Sequence, residues 1–261
     1  MSRFLVLGAG PIGSGVALRL AREGHTVVVA TRSGSGPEHP GVTRVAIDAG
    51  DPDGLSALAA GTTAIFNCLN PPYSRWAEEW PPLHRSILTA AERSDAVIVM
   101  TDNLYSFGPD TAMPLHEGDP MTATGTKGGT RRRMAEEMLA AHAEGRVRAT
   151  LARASDFFGP TVSDSSMGSR VVPRVLAGRK VSVLGRSDIP HSASYVDDVV
   201  RTLVTIATDE RAWGRPWHVP STTVSQSDLV AALAHAAATT VRVTTVPRAL
   251  VNVAGIAVPF L

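Results

Sequence analysis

Near its start, the chain joins a short apolar run, three closely spaced glycines and a segment with helical periodicity. Residues 4–7 are apolar, as in a buried strand, and glycines follow in the spacing Gly-x-Gly-x-x-Gly. The first glycine permits a tight turn, the second lets a ligand approach the backbone, and the third lets the helix pack close to the strand. The first helical turn then offers unpaired N–H groups to an anion. This pattern predicts a strand–turn–helix unit that binds a dinucleotide through Gly8, Gly10, Pro11, Ile12 and Gly13.

A second apolar strand, at residues 26–30, is followed by Thr31, Arg32 and Ser33. In dinucleotide-binding folds, an acidic residue at this place binds the ribose hydroxyls of NAD. Arg32 stands there instead, and a guanidinium can pair with a 2′-phosphate. The alternative is that Arg32 is an ordinary surface arginine in a loop. We therefore expect NADP, with NAD less favoured, and contacts from Thr31, Arg32 and Ser33.

Strand-like and helix-like segments alternate along residues 1–152. This alternation predicts an α/β fold: a doubly wound parallel sheet of Rossmann type with helices on both faces. Ligands bind at the carboxyl ends of such strands. The further cofactor contacts expected at the strand ends are Asp48, Asn67, Cys68 and Asn70. For Cys68, a role as a small core residue is favoured over a role as a nucleophile, since no paired base can be named for it.

The alternation changes after Arg153, which predicts a second, smaller unit over residues 153–261, with some elements returning to the sheet. The segment from Val246 to Leu261 is apolar but interrupted by prolines, so we expect a packing element rather than a membrane anchor. The basic triplet Arg131–Arg133 opens a helical segment, where a solvated face is the default expectation.

Composition narrows the classes of partner. The net charge of +1 gives no sign of a nucleic-acid or anionic-membrane partner. A single cysteine excludes an intramolecular disulfide and suits a reducing compartment. The chain enters its first strand at once, which leaves no room for a signal peptide and favours a cytoplasmic location. The eight histidines show no metal-ligand spacing, so no metal site is expected.

Three later segments carry a family resemblance. Thr101 and Tyr105 precede a Gly-Pro pair, residues 153–160 read Arg-Ala-Ser-Asp-Phe-Phe-Gly-Pro, and residues 195–199 read Tyr-Val-Asp-Asp-Val. With the glycine-rich turn, they resemble the short-chain dehydrogenase/reductase superfamily, in particular its extended branch of NAD-dependent epimerases and dehydratases. The resemblance implies a small-molecule substrate bound mainly by residues 153–261, a cofactor contact from Ser155, and often a homodimer.

The chain departs from that branch in two places. Its glycine spacing is one residue shorter, and the catalytic Tyr-x-x-x-Lys pair is absent. Matching the helix at residues 134–137 to the family puts Gly128 and Arg132 at the two catalytic places. A register that uses Lys127 as the lysine puts Ala123 where the tyrosine should be.

A substitute for the pair must lie at the carboxyl ends of the fourth to sixth strands. We predict that Thr101, Tyr105 and Lys127 line one cavity beside the nicotinamide site. A packing or substrate-contact role for Tyr105 is an equally open alternative.

The leading function is an NADP-dependent oxidoreductase or epimerase-like enzyme acting on a small molecule. One alternative is a non-catalytic dinucleotide-binding redox sensor or scaffold, which the missing tyrosine favours. Another is a cyclase, isomerase or dehydratase that has kept the fold without net redox chemistry.

Overall fold

The computed structural model describes residues 1–163, 165 and 168–246. The chain divides into two compact units. The first comprises Met1–Ala154 and Asp197–Pro220, and the second comprises Ser155–Val196 and the chain from Ser221 onward. The packing element expected at residues 246–261 lies, from residue 247 on, outside the described residues. A substrate-binding role for the second unit stays a prediction.

The described residues form twelve strands, seven helices and three short 3₁₀ turns, and strands and helices alternate through most of the first unit. In chain order the strands are β1 (Arg3–Leu7), β2 (Thr26–Thr31), β3 (Val42–Ala46), β4 (Ala64–Asn67), β5 (Val97–Asn103), β6 (Arg148–Ala154), β7 (Asp156–Phe158), β8 (Val181–Leu184), β9 (Pro190–Tyr195), β10 (Pro216–His218), β11 (Thr222–Ser225) and β12 (Val243–Val246). The helices are α1 (Pro11–Arg22), α2 (Pro52–Ala59), α3 (Trp76–Ser94), α4 (Thr126–Ala143), α5 (Gly168–Leu176), α6 (Val196–Thr208) and α7 (Gln226–Ala236). Short 3₁₀ turns occupy Tyr73–Arg75, Leu104–Ser106 and Glu210–Ala212.

The first unit is built on a parallel sheet. Within the described residues it has seven strands, in the order β10-β6-β5-β4-β1-β2-β3. The chain moves outward from β1 in both directions, which is the Rossmann order. The predicted fold class, an α/β doubly wound parallel sheet, is therefore confirmed. Because the strands are parallel, the segments after β1, β2, β4 and β5 lie along one edge of the sheet.

Both faces of this sheet are buried. Alternate strand residues such as Leu5 and Ile98 share one apolar cluster with α2, α3 and α4. The residues between them, such as Val6, are also fully buried, as expected for a sheet covered on both sides. Helices α1 and α6 approach closely, because a Cβ on Gly15 would lie 2.6 Å from a Val200 methyl group. No helix in the described ranges is long and apolar enough to cross a membrane.

The second unit contains two small sheets. One has the order β11-β9-β7, with β9 and β11 antiparallel, and the other pairs β8 with β12 in parallel. Its apolar cluster joins α5, β8 and α7 through Val171, Val181 and Val230. The sequence patterns did not predict β7, β9 or β11. Segments such as Pro-His-Ser-Ala-Ser-Tyr hold too few apolar residues for a period of two to stand out.

Candidate active site

In the glycine-rich turn after β1, a side chain would clash at two of the glycines and would have free space at the third. Gly8 has φ +94°, and a Cβ there would lie 2.7 Å from the Cys68 carbonyl oxygen. A Cβ on Gly13 would lie 2.1 Å from the Gly8 carbonyl oxygen. Around a Cβ on Gly10 there is nothing within 4 Å. Because Gly10 directly precedes α1, this open side lies beside the N–H groups of the first helical turn, which is the kind of place that favours an anion.

Pro11 and Ile12 begin α1 in different environments. Pro11 is exposed and occupies the first helical position, where its missing N–H costs no hydrogen bond. The Ile12 side chain is buried in the core, so only its backbone is available to a phosphate. Gly10 caps the helix without a side-chain hydrogen bond, which leaves the first N–H groups for a ligand.

The loop after β2 presents Arg32 and two serines. Thr31 donates its hydroxyl to the Ser35 carbonyl at 3.0 Å, and the Ser33 and Ser35 hydroxyls are 2.9 Å apart. Arg32 is exposed, and no carboxylate of the described residues pairs with it. Arg32 directly follows β2, and β2 pairs with β1, the strand that leads into the glycine-rich turn.

Asn67 ends β4 and carries an unpaired donor. It is buried beside Leu7 of β1, and its Oδ1 accepts from the Leu69 N–H at 3.3 Å. Within the described residues its Nδ2 has no partner. A buried unpaired donor costs about 1–3 kcal/mol, so this amide suits an acceptor supplied by a ligand or water. Asn70 and Asp48 are exposed, and Asp48 accepts from the Gly50 N–H at 2.9 Å, shaping the loop after β3.

Cys68 follows Asn67 and touches the same turn. Burial raises the pKa of its thiol to about 12, and a hydrogen bond from the Thr101 hydroxyl at 3.5 Å only partly opposes that effect. The thiol is therefore protonated at neutral pH, and a thiol is a weaker nucleophile than a thiolate. Thr101 thus directs its hydroxyl toward Cys68.

Tyr105 and Lys127 meet at a third residue, Tyr73. The Tyr73 and Tyr105 hydroxyls are 3.0 Å apart, and the Lys127 Nζ lies 3.5 Å from the centre of the Tyr73 ring. Trp76 supports both phenols, with ring centres 5.0 Å from Tyr73 and 5.7 Å from Tyr105. Sequence reasoning missed Tyr73, although its place after the double proline that follows β4 put it at the ligand edge. That Thr101, Tyr105 and Lys127 line one cavity stays a prediction.

A buried ionic group lies behind Thr101. Arg131 donates Nε and Nη2 to one Asp102 oxygen at 3.0 and 2.6 Å, and Nη2 also reaches the Thr101 carbonyl at 2.8 Å. The Nε of Arg153 lies 3.4 Å from the other Asp102 oxygen. Burial lowers the pKa of Arg153, while Asp102 acts in the opposite direction. The expectation that Arg131 lies on a solvated face is therefore wrong, because its charge is paired with Asp102 and its guanidinium stacks 5.0 Å from the Trp80 ring centre.

The helix that should carry the family's pair has no room for a tyrosine at Gly128. A Cβ there would lie 2.6 Å from the Tyr105 carbonyl oxygen and 2.8 Å from the Ala123 Cβ. Arg132, at the place matched to the lysine, lies 3.8 Å from Glu136 on the same helix. Here the start of α4 packs directly against the segment that carries Tyr105.

Ser155 belongs to the second unit, where its polar groups are engaged. Its hydroxyl donates to the Ser192 carbonyl, and its N–H donates to the Ser194 hydroxyl at 3.0 Å. Nearby, Asp156 lies 3.2 Å from His191 and raises the pKa of that imidazole through a hydrogen bond. A cofactor contact from Ser155 stays a prediction. In the described part of the chain, no three or more His, Cys, Asp or Glu side chains are grouped so as to hold a metal ion.

These features define a protein of the Rossmann class, with a glycine-rich turn between β1 and α1. The sequence model of the NAD dependent epimerase/dehydratase family matches residues 4–219. The chain therefore belongs to this family, which supports an enzyme of the epimerase/dehydratase type. No curated protein matches the chain.

Solved structures with the same fold include three from this group of enzymes. An epimerase from Methanothermobacter thermautotrophicus has a TM-score of 0.83 and 17% identity, covering 95% of this chain and 80% of its own. The UDP-glucose 4-epimerase of Thermotoga maritima has a TM-score of 0.82 and 17% identity, covering 94% and 85%. The dTDP-glucose 4,6-dehydratase of Streptomyces venezuelae, solved with NAD, has a TM-score of 0.79 and 17% identity, covering 95% and 85%. At such identities the likeness shows the fold alone.

Proposed function

We propose that this chain is an NADP-dependent oxidoreductase or epimerase-like enzyme that acts on a hydroxyl or carbonyl group of a small molecule. The observation that carries the proposal is the turn that is open only at Gly10, with Arg32 at the end of the neighbouring strand. When bound, the nicotinamide would supply the hydride acceptor or donor. A homodimer and a cytoplasmic location stay predictions.

The proposed cofactor contacts divide the dinucleotide among named groups. The turn at Gly8–Gly13 and the start of α1 would hold the pyrophosphate, and Arg32 with Ser33 would hold the 2′-phosphate. The unpaired Nδ2 of Asn67 would donate to an acceptor on the ligand. Several similar structures were solved with NAD bound, among them the Thermus thermophilus UDP-glucose 4-epimerase. Arg32 is the residue that supports NADP here, because the usual acid that binds the NAD ribose is not at its place.

The proposed catalytic set is Thr101, Tyr105 and Lys127. Tyr105 is 42% exposed, so its hydroxyl can reach a substrate oxygen. Lys127 supplies positive charge to the same cluster through its position over Tyr73. Thr101 follows the core of β5 and would donate to the substrate only after releasing Cys68.

The first substrates to test are nucleoside-diphosphate sugars. Similar solved structures include a UDP-glucose 4-epimerase with UDP-glucose, a UDP-glucuronic acid 4-epimerase with UDP-glucuronic acid, and a dTDP-glucose 4,6-dehydratase. We propose that this chain binds a small molecule of comparable chemistry.

Calorimetry with NADPH and NADH tests the cofactor assignment. NADPH should bind more tightly by one to two decades, since a charge-assisted hydrogen bond contributes about 1.5–3 kcal/mol. Arg32→Ala should remove most of that difference, and Gly10→Val should abolish binding of both while the melting temperature stays unchanged. Arg22→Ala is the matched control, because this exposed arginine lies at the far end of α1, roughly 16 Å from the turn. Equal affinities of the unmutated protein for NADPH and NADH would contradict the proposal.

The runner-up is a dinucleotide-binding redox sensor without catalysis. It is favoured by the packing at Gly128, which leaves no space for the tyrosine of the family. The two candidates separate in an assay of nucleoside-diphosphate sugars with NADP, in which products are followed by NMR. Tight NADPH binding with no product from any sugar would favour the sensor.

A further inference from the structure

We propose that Tyr73, with Lys127 over its ring, is the proton-transfer residue of this site. The inference rests on the proposed function and extends it to a residue that the sequence pattern did not indicate. In the family pattern, the tyrosine and the lysine come from one helix. Here the proposed pair is a tyrosine that follows β4 and a lysine at the start of α4.

The position of Tyr73 is fixed by its neighbours. It lies in the 3₁₀ turn after Pro71 and Pro72, and it remains 36% exposed. Trp76, one turn further on, is buried and donates its Nε1 to the Pro71 carbonyl at 3.1 Å. Its indole meets the Tyr73 ring edge-on. The phenol is therefore held by packing while its hydroxyl reaches solvent, as a group that meets a substrate must be.

Lys127 contacts the face of Tyr73. Its Nζ lies 3.5 Å from the ring centre, well inside the range of a cation–aromatic interaction. An ammonium in this place stabilises the negative charge that develops on the phenol oxygen as its proton leaves. The chain has 25 lysines and arginines, and only Lys127 and Lys180 are lysines. A compact ammonium at this point therefore stands out in a chain that otherwise uses arginine.

Tyr105 completes the arrangement. Its hydroxyl lies 3.0 Å from that of Tyr73, and its backbone N–H is held by Asn103 Oδ1 at 3.0 Å. The hydrogen bond between the two hydroxyls can reverse direction, because each can donate or accept. Tyr105 thus positions the Tyr73 oxygen and can share the proton with it.

In the reducing direction, Tyr73 gives its hydroxyl proton to the carbonyl oxygen as the carbon takes a hydride from the nicotinamide dinucleotide of the proposed function. In the oxidising direction, the phenolate left by that step takes the proton of the substrate hydroxyl as the C–O bond becomes C=O, and the hydride of that carbon returns to the dinucleotide.

Nitration of the tyrosines by tetranitromethane, read by peptide mass spectrometry, tests the role of Lys127 without a substrate. The reagent attacks the phenolate, so its rate reports how readily each phenol gives up its proton. Lys127→Met should slow nitration at Tyr73 by a factor of about three, the size of a cation–aromatic contact at a half-exposed site. Lys180→Met is the matched control and should change nothing, and Tyr195 serves as the reference in the same digest.

The direction of the change in nitration rate distinguishes a Lys127 that stabilises charge on the Tyr73 oxygen from a Lys127 that only packs against the ring. If the lysine only packs against the ring, its shortening exposes Tyr73, and nitration becomes faster or stays the same. Either of these results would overturn the proposal.

A second arm separates this inference from the proposed function. NADPH should protect Tyr73 and Tyr105 from nitration and leave Tyr195 unprotected, and Tyr73→Phe should bind NADPH in calorimetry as the parent does. Absence of NADPH binding to the parent contradicts the proposed function itself. Binding without protection of Tyr73 contradicts only the assignment of Tyr73.

Discussion

The Asp102 carboxylate offers the sharpest test of how this site is supported. Its side chain is 0% exposed, and the Arg131 and Arg153 side chains beside it are 3% and 1% exposed. Asp102→Asn removes the negative charge that both buried guanidiniums contact. At such burial the range for a broken buried pair applies, about 3–5 kcal/mol, and not the 0–1 kcal/mol of surface pairs. We therefore expect the free energy of unfolding to fall by about 3–5 kcal/mol.

Urea unfolding followed by tryptophan fluorescence measures this loss. Asp188→Asn is the matched control, because Asp188 also binds an arginine, Arg186, through two hydrogen bonds of 3.0 and 2.6 Å, but on the surface. Its removal should leave the unfolding midpoint unchanged within error. The double change Asp102→Leu with Arg131→Met should recover part of the loss, since it removes both charges of the closest pair. A loss below about 1 kcal/mol in Asp102→Asn would refute the reasoning.

Three further predictions concern other groups of the first unit. Gly13→Ala should lower both the melting temperature and NADPH affinity, because its Cβ would lie 2.1 Å from the Gly8 carbonyl oxygen; Gly118→Ala, with nothing within 4 Å, is the control in thermal melts and calorimetry. Burial lowers the pKa of His84 from 6.5 to about 4. The neutral imidazole therefore contributes fully to the free energy of unfolding above pH 6.5, and this contribution is lost toward pH 4, by up to about 3 kcal/mol. In urea titrations, His84→Leu should reduce the drop in the free energy of unfolding between pH 7 and pH 4.5. An unchanged drop would contradict this prediction. Cys68, the single thiol, should react with a thiol reagent at pH 7 at least about tenfold more slowly in the folded protein than in urea, as followed by absorbance.

The fold could be predicted because its signals are local. The glycine spacing and the apolar run before it lie within a dozen residues, and strands of the main sheet such as β1, β2 and β4 stand out as apolar runs. The strands of the second unit are short, and β9 and β11 are rich in serine and threonine, so their sequences give little strand signal before they pair with another strand.

The charged part of the site could not be predicted in the same way. Arg131 stands in a run of three arginines, and that pattern resembles a solvated helix face. Its partner Asp102 lies 29 residues earlier, and the two meet only because α4 packs on the sheet beside β5. The same holds for Tyr73 and Tyr105, whose hydroxyls are 32 residues apart in sequence and meet because β4 and β5 are neighbours. Sequence spacing does not encode adjacency of this kind.

The packing at Gly128 links the departure from the family pattern to the new cluster. A side chain there would collide with the Tyr105 carbonyl, so the close approach of α4 to this segment depends on a glycine. That approach brings Lys127, one residue earlier, over the Tyr73 ring. A tyrosine at Gly128 would push the helix away and separate the lysine from the phenol. The glycine at position 128 and the Tyr73–Lys127 contact therefore both depend on one helix position.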